Sequence, residues 1–389
     1  MNFVSNRRST EAKHYPALDG LRGVAVLLVM LHHFVRSYEA GGAVHTFALH
    51  LTEFMWTGVD LFFVLSGFLI TGILLETRGD RHYFRNFYAR RILRIFPLYY
   101  GLLAVAFLLL PLVQFGPSAE SNANLLYLLT FTSNIHFAFS GWSMHAFDVY
   151  WSLAVEEQFY LFWPVTLWLL PERFYKPLVI VGLAACVVLR YLAVHAGTSA
   201  IFIFTMLPTH ADGLLIGALI AILLHQRNNL PEASGAVAVG VTLFIAAFFL
   251  SGTFHLLGLS LFYNEWNTRG AMFYYLAIAT VYGALLYLSI GPLNPIQRMF
   301  SSRSLRLAGK YSYCLYLIHQ AVAHMLNLVY ANWGITAALQ SKAHFISDIA
   351  HLLPLFVISF AVAAFSWRLV ERPILGWKKY FTYSGAPAA

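Results

Sequence analysis

Apolar stretches long enough to cross a lipid bilayer recur along the whole of this 389-residue chain. A bilayer core is about 30 Å thick, so an α-helix needs about 20 apolar residues to span it. Charged residues make up only 11% of the chain, whereas soluble domains carry about 25%. The sequence therefore predicts an all-α, polytopic membrane helix bundle of about ten transmembrane helices, at 18–38, 57–76, 96–114, 150–170, 177–195, 206–225, 234–252, 271–290, 306–327 and 348–370.

The distribution of basic residues supports this topology. A further apolar segment, 122–140, is interrupted by Ser, Asn and His, and we expect it to be re-entrant or interfacial. With that assignment and a cytoplasmic N-terminus, the 25 lysines and arginines fall on the cytoplasmic side, with only four exceptions: Arg36, Arg190, Arg269 and Lys342. This asymmetry obeys the positive-inside rule. The net charge of +8 thus follows from topology and does not call for nucleic acid as a partner.

The chain is predicted to form one membrane domain. Its loops are short, and no internal repeat or low-complexity tract separates the spans. We expect this domain to cover residues 17–375, with cytoplasmic tails at 1–16 and 376–389. Cys186 and Cys314 lie inside predicted spans, so they predict neither a disulfide framework nor a metal site.

The first span carries an arginine and a histidine on one face. Arg22 and His33 are eleven residues apart, which returns a helix almost to its starting direction and separates the two by about 16 Å. Ionisable residues inside a membrane span are costly and usually functional. The alternatives are that Arg22 extends to lipid phosphates and that His33 is a hydrogen-bonded core residue. His32 points about 80° away from the Arg22 face.

Three further motifs follow in order. Residues 58–71 read G-V-D-L-F-F-V-L-S-G-F-L-I-T, an R-x-x-R element lies at 91–94, and an E-x-Q-F-Y element lies at 156–160. Together with the arginine and histidine of the first span, they resemble the acyltransferase-3 family of membrane O-acyltransferases, which modify bacterial glycans and some lipids and antibiotics. The resemblance covers residues 15–375. It implies a multi-pass protein of the bacterial inner (plasma) membrane with an acyl-CoA donor, and we expect only the membrane domain of such proteins here.

The resemblance assigns the arginines near the third span to the donor. Coenzyme A carries several phosphates and is acylated in the cytoplasm, and arginine side chains match phosphate geometry. Arg91 and Arg94 are the favoured donor contacts, with Arg90 and Ser66 as further candidates. An interfacial helix on anionic lipid explains part of this arginine run equally well. Ser66 could also bond to its own helix backbone or act as a nucleophile.

Polar residues of separate spans are expected to form one chamber. Helical rise places His33, Glu156 and His319 at similar depths, with Asp60 somewhat nearer the outer surface. Three more candidate chamber residues are Glu157, His210 and Asp212. Glu157 could instead form an interhelical salt bridge. His210 stands where the family pattern has arginine, so a cationic role there would depend on pH.

These residues predict an O-acetyltransferase that transfers an acyl group, by default acetyl, from acetyl-CoA to a hydroxyl of a lipid-linked or cell-surface glycan. In this interpretation His33 is the general base or a transient acyl carrier, and Glu156 or Asp60 orients its ring. Arg22 would hold the donor or stabilise the oxyanion, and no metal is expected. Direct transfer and an acyl-enzyme relay both stay open.

Three alternatives also stay open. A transporter or flippase of a glycan or small metabolite would explain ten spans with buried charge, but it predicts inverted repeats that the sequence lacks. A catalytically inactive receptor would not need both Arg22 and His33. The acceptor could also be a lipid or an antibiotic rather than a glycan. The oligomeric state is not readable from the sequence.

Overall fold

Long α-helices dominate the fold. The computed structural model describes residues 15–35, 52, 54–113, 115–227, 271–291, 294–333 and 344–383. Nine long helices in these ranges are labelled in chain order: α1 Pro16–Phe34, α2 Gly58–Thr77, α3 Tyr83–Ala104, α4 Tyr150–Leu169, α5 Tyr175–His195, α6 Asp212–Arg227, α7 Ala271–Ile290, α8 Arg303–Asn332 and α9 His344–Ser366.

Shorter elements connect or extend these helices. The short α-helices are Ala119–Ala123, Leu125–Leu129, Ser133–Ser140, Ala200–Thr205, Leu207–His210, Pro295–Phe300 and Arg372–Leu375. One-turn 3₁₀ segments lie at Phe54–Thr57, Leu110–Val113, His145–Phe147, Glu172–Phe174 and Gly376–Tyr380, and π-helical turns at Val105–Leu109 and Trp367–Glu371. The described residues contain no β-strand, so the prediction of an all-α fold is confirmed.

Six helical stretches of the described residues are long and apolar enough to cross a membrane: Pro16–Phe34, Phe54–Thr77, Tyr83–Val113, Glu172–His195, Arg303–Asn332 and Leu352–Tyr380. Two shorter apolar helices, Asp212–Gln226 and Tyr274–Ile290, and α4 also coincide with predicted spans. The predicted span 234–252 lies outside the described residues. The chain is therefore a polytopic helical membrane protein.

The segment 122–140 is not a single span. The structure divides it among short helices, the longest of which is the eight-residue helix Ser133–Ser140. A helix of eight residues rises about 12 Å, which is less than half of a bilayer core. This agrees with the expectation that the segment does not cross the membrane.

The third predicted span begins earlier than the hydrophobic pattern indicates. Helix α3 already starts at Tyr83 and continues through Pro97. The arginines at 85–94 therefore stand on the same continuous helix as the apolar part of the span. As a consequence, Arg90, Arg91 and Arg94 line a cavity of the bundle at positions defined by α3, whereas Arg85 is exposed.

Glycines bring α1 and α8 into backbone contact. A Cβ atom added at Gly309 would lie 1.7 Å from the carbonyl oxygen of Asp19, and one at Gly23 would lie 2.1 Å from that of Leu305. Small residues allow membrane helices to approach this closely. The contact sets the height of Arg22 on α1 relative to the basic residues at the start of α8.

Replacing Gly309 by alanine should separate these two helices. We expect a loss of about 1–3 kcal/mol of stability, because the added methyl group overlaps backbone atoms that cannot rotate away. The measurement is the midpoint of thermal unfolding of the purified protein in detergent. Gly101→Ala is the matched control, since a Cβ atom there meets nothing within 4 Å. Equal midpoints for the two variants would contradict the prediction.

Candidate functional site

A basic cavity lies between α1, α3, α8 and the segment Gly376–Tyr380. Its volume is about 780 Å³. Among the described residues, eight basic side chains line it, namely Arg22, Arg90, Arg91, Arg94, Arg303, Arg306, Lys310 and Lys378, and Asp19 is the one acidic residue in the lining. Asp19 lies 3.8 Å from the Arg22 guanidinium. A cavity with this excess of positive charge is suited to a ligand that carries several negative charges.

The structure brings the four predicted arginines into this one cavity. Arg22 comes from α1, and Arg90, Arg91 and Arg94 come from α3. Arg78, at the end of α2, is placed differently, because its guanidinium lies 3.4 Å from Glu172 and donates to the Leu170 carbonyl. The grouping of Arg22 with the R-x-x-R element therefore follows from the tertiary structure.

Sequence reasoning missed half of the basic residues of the cavity. Arg303, Arg306 and Lys310 occupy one face of the first turns of α8, at intervals of three and four residues. That spacing could have indicated from the sequence that the three side chains face one site. Lys378 belongs to the segment predicted to be a cytoplasmic tail, and this segment in fact packs on α3, where Asn86 and Arg90 donate to the carbonyls of Thr382 and Phe381.

Glu156 lies next to this cavity and accepts two hydrogen bonds. The Ser66 hydroxyl donates to its Oε1 at 2.7 Å, and the Tyr160 hydroxyl donates to its Oε2 at 3.1 Å. The Arg91 guanidinium stands 5.4 Å from the centre of the Tyr160 ring. The charges of Arg22 and Arg91 both act on this carboxylate. We call Ser66, Glu156 and Tyr160 the Ser66 cluster.

His33 pairs with His319 near the other end of α1. Nδ1 of His33 lies 2.9 Å from the Val29 carbonyl oxygen and 3.2 Å from Nε2 of His319, and Nδ1 of His319 lies 2.7 Å from the Tyr316 carbonyl oxygen. Carbonyl oxygens only accept, so the proton is on Nδ1 in both rings. Nε2 of His33 is consequently the nitrogen with a lone pair.

The predicted partner of the His33 ring is therefore corrected. His319, and not Glu156 or Asp60, holds the ring among the described residues. Glu156 is also deeper than predicted. Ser152, one turn before it on α4, bonds to the Tyr316 hydroxyl at 2.5 Å, and Tyr316 lies one turn before His319. Glu156 is thus about 10 Å from the histidine pair along the bundle and close to Arg22 instead.

Asp60 belongs to a second, separate polar group. Its Oδ1 lies 3.0 Å from Nε2 of His210, whose Nδ1 lies 2.5 Å from the Phe204 carbonyl oxygen. One proton therefore bridges Nε2 and Oδ1. Both side chains are fully buried, and the His210 ring centre is 4.1 Å from that of Tyr275. The structure thus joins Asp60 and His210 to each other and not to His33.

Asp212 pairs with an arginine that the sequence analysis placed on the outer side. The Arg190 guanidinium contacts both carboxylate oxygens of Asp212, at 2.5 and 3.0 Å, and also donates to the Thr209 carbonyl. Arg190 and Asp212 are both 0% exposed. Arg190 lies inside the predicted span 177–195, where an unpaired charge is costly, so its position in the sequence already indicated that it needs an acidic partner.

Glu157 has no salt bridge within 4 Å in the described part of the chain, although Arg91 acts on it electrostatically. Its Oε1 is buried there without a hydrogen-bond partner.

Cys186 and Cys314 are both buried thiols. Within the described ranges, no group of three His, Cys, Asp or Glu side chains is arranged to hold a metal ion.

Comparisons with known proteins agree on one family. The profile of a family described as an acyltransferase domain matches residues 15–368. The chain is 30% identical to the peptidoglycan O-acetyltransferase OatA of Listeria monocytogenes, over 95% of this chain and 57% of that protein. It is 26% identical to the O-acetyltransferase OatA of Staphylococcus aureus, over 96% of this chain and 59% of that protein. The chain thus spans little more than half the length of these relatives. No solved structure matches.

Proposed function

Because the chain belongs to the acyltransferase-3 family, we propose that it is a membrane O-acyltransferase. Its donor is acetyl-CoA, or another acyl-CoA, taken from the cytoplasm, and its acceptor is a hydroxyl of a lipid-linked or cell-surface glycan. The protein would lie in the bacterial inner (plasma) membrane with both termini in the cytoplasm. The observation that carries this proposal is the placement of the basic cavity and the histidine pair at two heights of the same helix, about 16 Å apart.

The basic cavity supports the choice of donor. Coenzyme A presents a pyrophosphate and a third phosphate at one end and a thioester at the other. The eight basic side chains of the cavity offer charge-assisted hydrogen bonds to such phosphates from several directions. The residues that line the cavity also lie at the end of the bundle that the distribution of basic residues assigns to the cytoplasm.

The histidine pair supports the choice of catalytic base. Nε2 of His33 accepts the proton of the acceptor hydroxyl while the oxygen attacks the thioester carbonyl, and His319 keeps the ring in the required tautomer. The new C–O bond forms, the C–S bond breaks, and the proton passes from His33 to the leaving thiolate. Arg22 is about 16 Å away, so its role is to hold the donor and not to stabilise the oxyanion.

The relatives support a cell-wall glycan as the acceptor. The Listeria protein is a peptidoglycan O-acetyltransferase by name, and peptidoglycan is accordingly the first acceptor to test. The test is to supply radiolabelled acetyl-CoA to membranes that contain this protein and to measure label in the glycan and lipid fractions. Label that enters lipid alone would redirect the proposal to a lipid acceptor, and label in neither fraction would contradict it.

Removing one arginine of the cavity should weaken donor binding. We expect Arg91→Gln to raise the Kd of coenzyme A about 10- to 100-fold, which corresponds to the loss of one charge-assisted hydrogen bond. The Kd is measured by isothermal titration with the purified protein in detergent. Arg78→Gln is the matched control, since Arg78 pairs with Glu172 outside the cavity. Equal Kd values for the two variants would contradict the donor assignment.

A further inference from the structure

The Ser66 cluster occupies the interval between the basic cavity and the histidine pair. Ile73 lines the cavity and lies seven residues after Ser66 on α2, so the two share one face of the helix. Glu156 follows Ser152, which bonds to Tyr316, by one turn of α4, and the charge of Arg22 in the cavity acts on it. A ligand that extends from the cavity towards His33 therefore passes the Ser66 cluster.

The chemistry of this cluster differs from that of the cavity. Ser66, Glu156 and Tyr160 present a hydroxyl, a carboxyl and a phenol, and none of the three carries the positive charge that binds phosphate groups. The Ser66 hydroxyl donates its proton to Glu156 at 2.7 Å, which leaves its oxygen as an acceptor. Glu156 itself has lone pairs beyond those used by Ser66 and Tyr160. The cluster thus offers hydrogen-bond acceptors to a neutral N–H donor and offers no cation to a phosphate.

We propose that Ser66 and Glu156 form a subsite for the uncharged, amide-bearing arm of a thioester donor, separate from the site for its phosphates. This inference rests on the proposed function. The pantetheine arm of coenzyme A contains two amides in a chain of about twelve atoms. Such a chain is as long as about four extended residues and spans about 13–14 Å. With its phosphates in the basic cavity, the arm passes Ser66 and brings the thioester close to His33.

The subsite explains how the enzyme selects an acyl donor that carries a pantetheine arm. Phosphates stay in the basic cavity because its arginines and lysines bind them and the Ser66 cluster beyond it carries no cation, while the neutral arm finds hydrogen-bond acceptors in the cluster. Small anionic acyl donors, such as an acyl phosphate, would bind the arginines but would not reach His33. Ser66 and Glu156 are therefore specificity-determining residues for donors built on pantetheine.

The test compares a ligand with the arm and a ligand without it. Coenzyme A and adenosine 3′,5′-bisphosphate, which has no pantetheine arm, are titrated into the full-length wild type, Ser66→Ala and Ser66→Thr. We expect Ser66→Ala to raise the Kd of coenzyme A about three- to tenfold, the loss of one neutral hydrogen bond, and to leave the Kd of the bisphosphate unchanged. Ser66→Thr, which keeps the hydroxyl, should bind coenzyme A as the wild type does.

Two results would overturn the subsite. One is an equal rise of both Kd values in Ser66→Ala, and the other is no change in either. Glu156→Gln provides a second variant if Ser66→Ala does not fold, and it should show the same difference between the two ligands. Binding of neither ligand by the folded wild type would instead contradict the donor in the proposed function, so the two failures are distinguishable.

Discussion

Replacing His33 by alanine is expected to lower the rate of acyl transfer by about two to four orders of magnitude, the contribution of a positioned general base. The physical reason is the tautomer of the histidine pair. Nδ1 of each ring donates its proton to one backbone carbonyl oxygen, that of Val29 for His33 and that of Tyr316 for His319. Nε2 of His33 therefore carries the lone pair that accepts the hydroxyl proton. The measurement is the initial rate of label transfer from acetyl-CoA in membranes with matched protein levels.

Coenzyme A binding and the neighbouring histidine provide the controls. The Kd of coenzyme A should stay unchanged in His33→Ala, because the basic cavity is about 16 Å away. His32 bonds instead through Nδ1 to the Thr52 carbonyl, so His32→Ala should transfer at a rate of the same order as the wild type. Undiminished transfer by His33→Ala would contradict the assignment of the base.

Replacing Arg190 by methionine is expected to destabilise the protein by about 3–5 kcal/mol, the cost of breaking a fully buried ion pair. Methionine fills part of the same volume, but it leaves the Asp212 carboxylate buried without its cation. It also removes the donor to the Thr209 carbonyl. The measurement is thermal unfolding of the purified protein in detergent, followed by tryptophan fluorescence.

A double variant separates the ion pair from the packing. Arg190→Met combined with Asp212→Leu removes both charges, and replacing a whole buried pair by apolar residues is often nearly neutral. We therefore expect the double variant to unfold at a higher temperature than Arg190→Met alone. An additive loss of stability would show that packing around Arg190, and not the unpaired carboxylate, is the main contribution.

The helical membrane fold and the shared face of Arg22 and His33 could be predicted from the sequence. The length of an apolar stretch and the rise of an α-helix are local properties, so α1, α2 and α8 lie where the hydropathy places them. The common face of Arg22 and His33 depends only on the period of one helix. The basic residues of α8 also share a local face, but the sequence analysis attributed them to the positive-inside rule and did not group them with the arginines of α3.

The partners of the polar residues could not be predicted in this way. The sequence analysis placed Glu156 level with His33 because it counted residues from the expected membrane surface. In the structure Glu156 bonds to Ser66 and lies near Arg22. The start of a helix relative to the membrane surface is uncertain by several residues, and each residue shifts the height by about 1.5 Å.

The sequence by itself determined the helical membrane fold and the shared face of Arg22 and His33, because each of these follows from periodicity and length within one helix. Only the tertiary structure decided that His319 holds His33, that Arg190 neutralises Asp212, and that basic side chains from four separate parts of the chain line one cavity. The physical reason is that the heights of neighbouring helices are set where their backbones touch, as at Gly309 and Asp19, and no single helix carries that information.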